Sequence, residues 1–170
     1  GQIDEWRIKI LLQQPIRPGL LSAMLRILKV DKFRPVMDIG CGFGFNLKEF
    51  QQLGFTNIIG VEASEHRARV ARETGFTILS GDFENSDLKE KAPYSVIYHH
   101  HVLEHIYDVN AFIAKCASLQ DVGDYMLVGI PNNLGEPTMG VLMFLPHLNS
   151  FTVHALTRLF GKYCYEIIEY

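Results

Sequence analysis

The stretch Pro35-Val36-Met37-Asp38-Ile39-Gly40-Cys41-Gly42-Phe43-Gly44-Phe45 decides how this chain is read. Its apolar run, 36–39, has the length of one buried strand. Three alternate glycines follow, Gly40, Gly42 and Gly44, and then a helix-compatible segment over 46–53. Strand, tight turn and helix start is the order these residue types favour. A backbone without Cβ turns sharply and lets a ligand approach closely. The free N–H groups of a helix start then face whatever occupies the turn.

Downstream, the same alternation repeats. Residues 57–62 read as a second strand ending in an acid, Glu62. Ser64 is placed to cap the next helix, with Glu65 in its first turn and Gly75 as its stop. A short strand over 77–79 leads into Gly81-Asp82-Phe83. Residues 94–99 form a fourth strand and 102–105 a loop, and Asp108 caps a helix with Val109, Phe112, Ile113, Cys116 and Leu119 on one face. After Gly123 comes a fifth strand, 125–130, closed by Pro131; a helix over 152–160 and a last strand over 163–170 complete the chain. Upstream, 3–14 reads as a helix with Ile3, Trp6, Ile10 and Leu11 near one face, and 20–30 as a second. Together they predict a helical cap over 1–34 ahead of a single domain over 35–170.

Short apolar strands alternating with helices predict a parallel sheet covered on both faces. In such sheets ligands bind beyond the C-terminal ends of the strands. Asp38, Glu62, Asp82 and 99–101 all fall at those ends.

Composition narrows the function classes. At 48% hydrophobic and 21% charged, the 170 residues suit one soluble globular domain. A formal charge of −3, without a basic tract, gives no footprint for nucleic acid. No apolar run reaches the roughly 18 residues of a membrane span, and no signal peptide is visible. The three cysteines, Cys41, Cys116 and Cys164, are odd in number and far apart. They support neither a disulfide framework nor a zinc ribbon, and a reducing cytoplasm is the expected home. The apolar loop segment 141–145 is expected to serve as a substrate lid, or as a contact for a second copy or another partner.

The spacing Asp38-x-Gly40-x-Gly42-x-Gly44 resembles motif I of the Rossmann-like S-adenosylmethionine-dependent methyltransferases. A dinucleotide fingerprint would place its third glycine where Phe45 stands. Leu103-Glu104-His105 followed by Asp108 resembles the subgroup that includes ubiquinone-biosynthesis O-methyltransferases and many small-molecule methyltransferases. The resemblance covers about residues 35–170 and implies a three-layer Rossmann-like α/β sandwich with a mostly parallel sheet. It also implies that the sheet ends in a strand hairpin, with the last strand beside the fifth. Only the first strand of that hairpin precedes Tyr170, so an incomplete edge with open ladder groups on the fifth strand is expected.

The resemblance implies S-adenosylmethionine as cofactor, held by Asp38, Gly40, Cys41, Gly42, Gly44, Glu62, Ala63, Asp82, Phe83 and His100. The chemistry suits these places. A strand-end carboxylate, Glu62, can accept both ribose hydroxyls in charge-assisted bonds. An acid beside an aromatic, Asp82-Phe83, can accept from the adenine amino group and cover the ring. Cys41 reads as a small turn residue with no base beside it. Transfer to an oxygen acceptor also needs a proton removed, and His101 and His105 are the candidate bases. Residues 101–105 depart from the Glu-x-x-Glu-His that holds a divalent ion in ubiquinone-type and small-RNA-type relatives, since His101 fills the first position. The expected site therefore contains no metal, with His101, Glu104 and His105 as the ligand trio if one binds. The expected function is methyl transfer to a small-molecule acceptor, at oxygen. Two alternatives stay open: a cofactor-binding module serving a partner, and a nicotinamide-dependent dehydrogenase.

Overall fold

In a computed structural model, residues 6–13, 20–26, 28–131 and 147–169 are described. Twelve regular elements alternate along them. They are β1 (Trp6–Gln13), α1 (Leu20–Arg26), β2 (Val36–Ile39), α2 (Phe45–Gln52), β3 (Ile58–Glu62), α3 (Glu65–Glu73), β4 (Thr77–Ser80), β5 (Val96–His100), α4 (Val109–Ala117), β6 (Tyr125–Pro131), α5 (Val153–Gly161) and β7 (Tyr165–Glu169). Three 3-10 turns, Phe83–Asn85, Lys89–Lys91 and Leu103–His105, lie in the connections.

The strands form one seven-stranded sheet in the order β4-β3-β2-β5-β6-β1-β7. Every pairing in it is parallel. Successive residues of the central strands feed opposite faces, as pleating requires. Met37 and Ile97 join Phe112, Ile113 and Phe160 in one core. Val36, Val96 and Tyr98 join Leu21 and Phe50 in another. Cys41, Leu47, Ala68, Ala71 and Ile78 pack a third cluster under α2 and α3. The result is the expected three-layer Rossmann-like sandwich.

Helix boundaries follow local chemistry. Ser64 accepts from the Arg67 N–H, Asp108 from Ala111 and Thr152 from Ala155. Each satisfies an N–H that the first helical turn leaves without a partner. Gly75, at φ +94°, takes the left-handed conformation just past α3.

Two expectations are corrected at the N-terminal edge. Residues 6–13 form a strand, where a helix over 3–14 was expected, so 1–34 is not an all-helical cap. The sequence carried the signal: Trp6, Ile8, Ile10 and Leu12 alternate with Arg7, Lys9 and Leu11, which is close to period two. Nor is the fifth predicted strand, β6, left open. β1 pairs along it from Arg7↔Tyr125 to Gln13↔Pro131 and pairs β7 on its other side. β7 pairs parallel with β1, so β6 and β1 each have strand neighbours on both sides and β7 is the outermost strand of the described sheet. The remainder of 1–34 contributes α1, packed by Leu21 and Leu25 against Val36, Phe50 and Val96. The apolar segment 141–145 lies outside the described residues. No described helix is long and apolar enough to cross a membrane.

Candidate active site

A cleft of about 640 Å³ opens beyond the C-terminal ends of the central strands, within the usual size range for small-molecule sites. Gly40 follows β2, Glu62 and Ala63 end β3, Asp82 follows β4, and His101 and His105 follow β5; all line the cleft. Parallel strands deliver their ends to one edge, so residues far apart in sequence converge there.

The turn after β2 is built for close approach. Gly40 sits at φ +73°, and a Cβ there would meet Val102 Cγ2 at 2.5 Å. Backbone from the β2 turn thereby abuts the turn after β5. The Gly40 and Cys41 N–H groups both donate to the Val61 carbonyl, at 2.8 and 3.1 Å.

Glu62 ties this turn to β3. It is 3% exposed. Its Oε2 accepts from Gly42 N at 2.9 Å, and its Oε1 from Ser64 N at 2.8 Å. Arg67, one turn into α3 and half exposed, adds an ion pair at 2.9 Å. A carboxylate has about four acceptor places. Three are in use, and both Glu62 and its half-exposed partner Arg67 line the cleft.

Other predicted residues stand behind the cleft lining. Asp38 is buried, and burial pushes its carboxyl well above the usual carboxylate range, against a hydrogen bond from Asn46. The Cys41 thiol is buried against Gly60, where a Cβ would meet its sulfur at 2.7 Å; burial raises its pKa, so it is no nucleophile. Phe83 is a correction. Its ring is 4% exposed and packs on Phe112 at 4.9 Å between centroids, so only its main chain is near the cleft and the ring does not cover a ligand base. A buried aromatic two positions after a glycine gives no sequence sign of which way it faces. The His100 ring stacks on Tyr98 and lies against Gly129, where a Cβ would come within 2.0 Å of it. Burial, and the neighbouring His101, lower its pKa to about 4.

A Methyltransferase domain family model matches residues 13–170. The chain belongs to that methyltransferase domain family. Among curated proteins, it is 31% identical over 123 residues to the ubiquinone biosynthesis O-methyltransferase of Chelativorans sp. (strain BNC1), covering 65% of this chain and 48% of that one. It is likewise 31% identical over 103 residues to the protein of that name in Bradyrhizobium sp. (strain ORS 278), covering 57% of this chain and 40% of the relative. The chain thus spans about half the length of the curated relatives it matches or less. A solved SAM-dependent methyltransferase from Archaeoglobus fulgidus shares the fold, with a TM-score of 0.69 at 20% identity, over 85% of this chain and 67% of that one.

In this methyltransferase domain the segment after β5 is the most constrained part of the cleft. His101 adopts φ +54°, rare for a residue with a side chain. Its N–H donates to the Gly129 carbonyl at 2.9 Å, and its Nδ1 lies 2.9 Å from Glu104 Oε1. With that carboxylate as partner, Nδ1 carries the hydrogen and Nε2 is left as the basic nitrogen. Glu104 is 1% exposed. Burial works to raise its carboxyl, yet the His101 hydrogen bond and its own backbone leave it below the usual value.

The Glu104 carbonyl accepts from Leu148 N and Asn149 N, and Asn149 Nδ2 donates to the Ile106 carbonyl. This docks 147–150 on the Leu103–His105 turn and sets the His147 ring 5.0 Å from that of His105. Ligand atoms of Glu104, His105 and His147 lie within 4.8 Å of one another. The trio that can hold a cation thus contains His147, a histidine the sequence offers as an added ligand along with His154, in place of His101. Spacing could not choose it, because His147 lies more than forty residues downstream and arrives through backbone hydrogen bonds. Sequence reading missed Arg67, Glu84, Asn85, Ile106 and Tyr107 in the lining. Arg67 had a usable signal: it lies one helical turn beyond the Ser64 cap, on the side that faces the end of β3.

Proposed function

We propose that the domain transfers a methyl group from S-adenosylmethionine to an oxygen of a small-molecule acceptor. The observation that carries this reading is Glu62: a buried strand-end carboxylate, fixed by two backbone N–H groups, that lines the cleft with Gly40 and Asp82 and has acceptor capacity left. That capacity suits a ribose hydroxyl, and Arg67 can yield a second place. The exposed Asp82 carboxylate suits the adenine amino group. The bare turn at Gly40 and Gly42 suits the methionyl portion, with Asp38, Cys41, Gly44 and His100 shaping the turn from behind and Ala63 bordering the ribose place. When bound, the cofactor supplies a sulfonium methyl that is already strongly electrophilic.

The chain's own residues then have modest tasks. The cleft walls orient the acceptor and exclude water, and orientation can lower a barrier by about 7–11 kcal/mol. His101, with Nδ1 engaged by Glu104, presents Nε2 to take the acceptor proton, and His105 lines the same wall. Small-molecule acceptors fit a cleft of about 640 Å³ better than macromolecular ones do. We place the reaction in the reducing cytoplasm, on the three unpaired cysteines.

A second reading concerns a divalent ion. Glu104 Oε2 is buried without a hydrogen-bond partner, and it belongs to the His105 and His147 cluster. Two imidazoles and one carboxylate suit zinc, cobalt or manganese. Such an ion would lower the pKa of an acceptor hydroxyl by Lewis acidity.

Calorimetric titration with S-adenosylmethionine, S-adenosylhomocysteine and NAD tests the central proposal. Micromolar binding of the sulfur nucleosides with no NAD heat is the expected result. Tighter NAD binding would overturn it, and cofactor binding with a blank methyl-transfer screen across phenols, acids and amines would leave a binding module.

A further inference from the structure

Lys115, on α4, lies outside the cleft lining, yet its ammonium is fully engaged by a turn that forms part of the cleft wall. Its Nζ donates to the carbonyls of Phe83, Glu84 and Ser86 at 2.7, 2.9 and 2.7 Å. An ammonium has three donors, and all three go to one turn. The same nitrogen sits 5.0 Å from the centre of the Phe83 ring, a cation–π distance. That ring in turn packs on Phe112 of α4. The turn it gathers, Phe83–Asn85, is the wall of the cleft that carries Asp82, Glu84 and Asn85.

The Asp82 carbonyl accepts from Asn85 N and Ser86 Oγ, which ties its main chain to the turn. Asp82 precedes the turn without making a side-chain capping bond to it. Its carboxylate is therefore set by the path of the turn, whose Phe83, Glu84 and Ser86 carbonyls Lys115 gathers. α4 also begins at Val109, directly after the cleft-lining Tyr107. Lys115 lies six residues further on, about 9 Å along the axis at 1.5 Å per residue. One helix thus carries the 101–107 wall at its N-terminus and the 82–86 wall on its flank.

We propose that Lys115 is a positioning residue for base recognition: by gathering three carbonyls it holds the Asp82 carboxylate where it accepts from the exocyclic amine of the cofactor's base. This rests on the reading of Asp82 as the adenine acceptor. A planar guanidinium cannot converge on three carbonyls as a tetrahedral ammonium does. Lysine, rather than positive charge in general, is what the wall requires.

The test compares Kd for S-adenosylhomocysteine and for S-inosylhomocysteine, whose base carries an oxygen in place of the amine. Wild-type protein is expected to favour the adenine ligand by roughly tenfold or more, the worth of one hydrogen bond to a charged group. Asp82→Ala should reduce that ratio to near one. Lys115→Met keeps the stem over Phe83 and removes the three donors; it should also reduce the ratio to within about threefold, at a temperature well below its melting point. Loss of fold stability alone would weaken both ligands equally and leave the ratio intact. Lys115→Arg is the second variant if the methionine protein does not fold, and its ratio should fall as well. A wild-type ratio near one removes the Asp82 reading and the inference with it. A wild-type preference that Asp82→Ala abolishes but both Lys115 variants retain overturns the inference alone.

Discussion

Replacing Glu62 by Gln tests the site at the point where fold and ligand binding share one side chain. The amide keeps the shape but turns one acceptor oxygen into a donor. In the protein, Oε2 serves Gly42 N and Oε1 serves Ser64 N and Arg67. Whichever way the amide is turned, one of those backbone N–H groups faces an NH₂. A buried donor left without its acceptor costs about 1–3 kcal/mol. The Arg67 pair adds little, since an exposed guanidinium contributes under about 1 kcal/mol. For a chain of this size each kcal/mol moves the melting temperature by roughly 2–4 °C, so a drop of about 2–12 °C is expected. On the ligand side, the lost charge-assisted bonds to a ribose diol amount to roughly 2–3 kcal/mol, or about 30- to 150-fold in Kd. Thermal melts and calorimetry with S-adenosylhomocysteine read the two effects separately. A variant that melts lower but binds within threefold of wild type would show that Glu62 serves only the glycine turn. The ribose assignment would then be wrong.

Three further outcomes follow from the same geometry. Gly129→Ala places a Cβ 2.0 Å from His100 Cδ2 on a central strand; the ring must leave Tyr98, with about 1–3 kcal/mol of destabilisation and weaker cofactor binding, and an unchanged melt and Kd would refute the contact. His99 is fully buried, and burial lowers its pKa to about 3. The unfolded chain takes up that proton near 6.5 and the native one only near 3, so stability is present above pH 6.5 and is lost as pH falls through this window. Between pH 7 and 4 the loss is about 3 kcal/mol, and denaturant titrations of His99→Phe should lack this component; equal acid sensitivity in the two proteins would contradict it. Cobalt(II) titrated into the wild-type protein should give visible absorption bands that His147→Ala abolishes, and a featureless wild-type spectrum disposes of the cation reading.

The parts of this fold that were legible in the sequence are those decided by neighbours in the chain. The strand-turn-helix at 35–45 was readable because glycine spacing and apolar runs act locally, and the caps at Ser64 and Asp108 for the same reason. Parallel topology then followed, because short strands separated by helices have few alternatives. What stayed hidden was decided by contacts remote in sequence. Residues 6–13 carry both a helical and a near-alternating pattern, and pairing with β6 and β7 settles the matter. Phe83 reads as a ligand-facing aromatic until Phe112 claims its ring. Lys115 is not singled out by any local pattern, and three carbonyls meet it only in the fold. Its role depends on the path of a turn thirty residues earlier, which no periodicity encodes.

The remaining buried polar groups say why the cleft lies where it does. Among the described residues, the buried side-chain atoms without a hydrogen-bond partner are Asp38 Oδ2, both ring nitrogens of His99, and Glu104 Oε2. All belong to β2, β5 or the turn after β5, the middle of the sheet. Each lowers stability by about 1–3 kcal/mol, and packing alone would favour apolar residues at these places. Burial raises the Asp38 carboxyl and lowers the His99 imidazole, so both lean toward their neutral forms in the layer behind the cleft lining. A layer of low polarity strengthens the interactions made above it, because fewer dipoles screen them. Glu62 and Glu104, each 1–3% exposed at the edge of that layer, gain most. Apolar substitutions of similar size at His99 should therefore raise the melting temperature and leave the bonds made by Glu62 and Glu104 at least as strong.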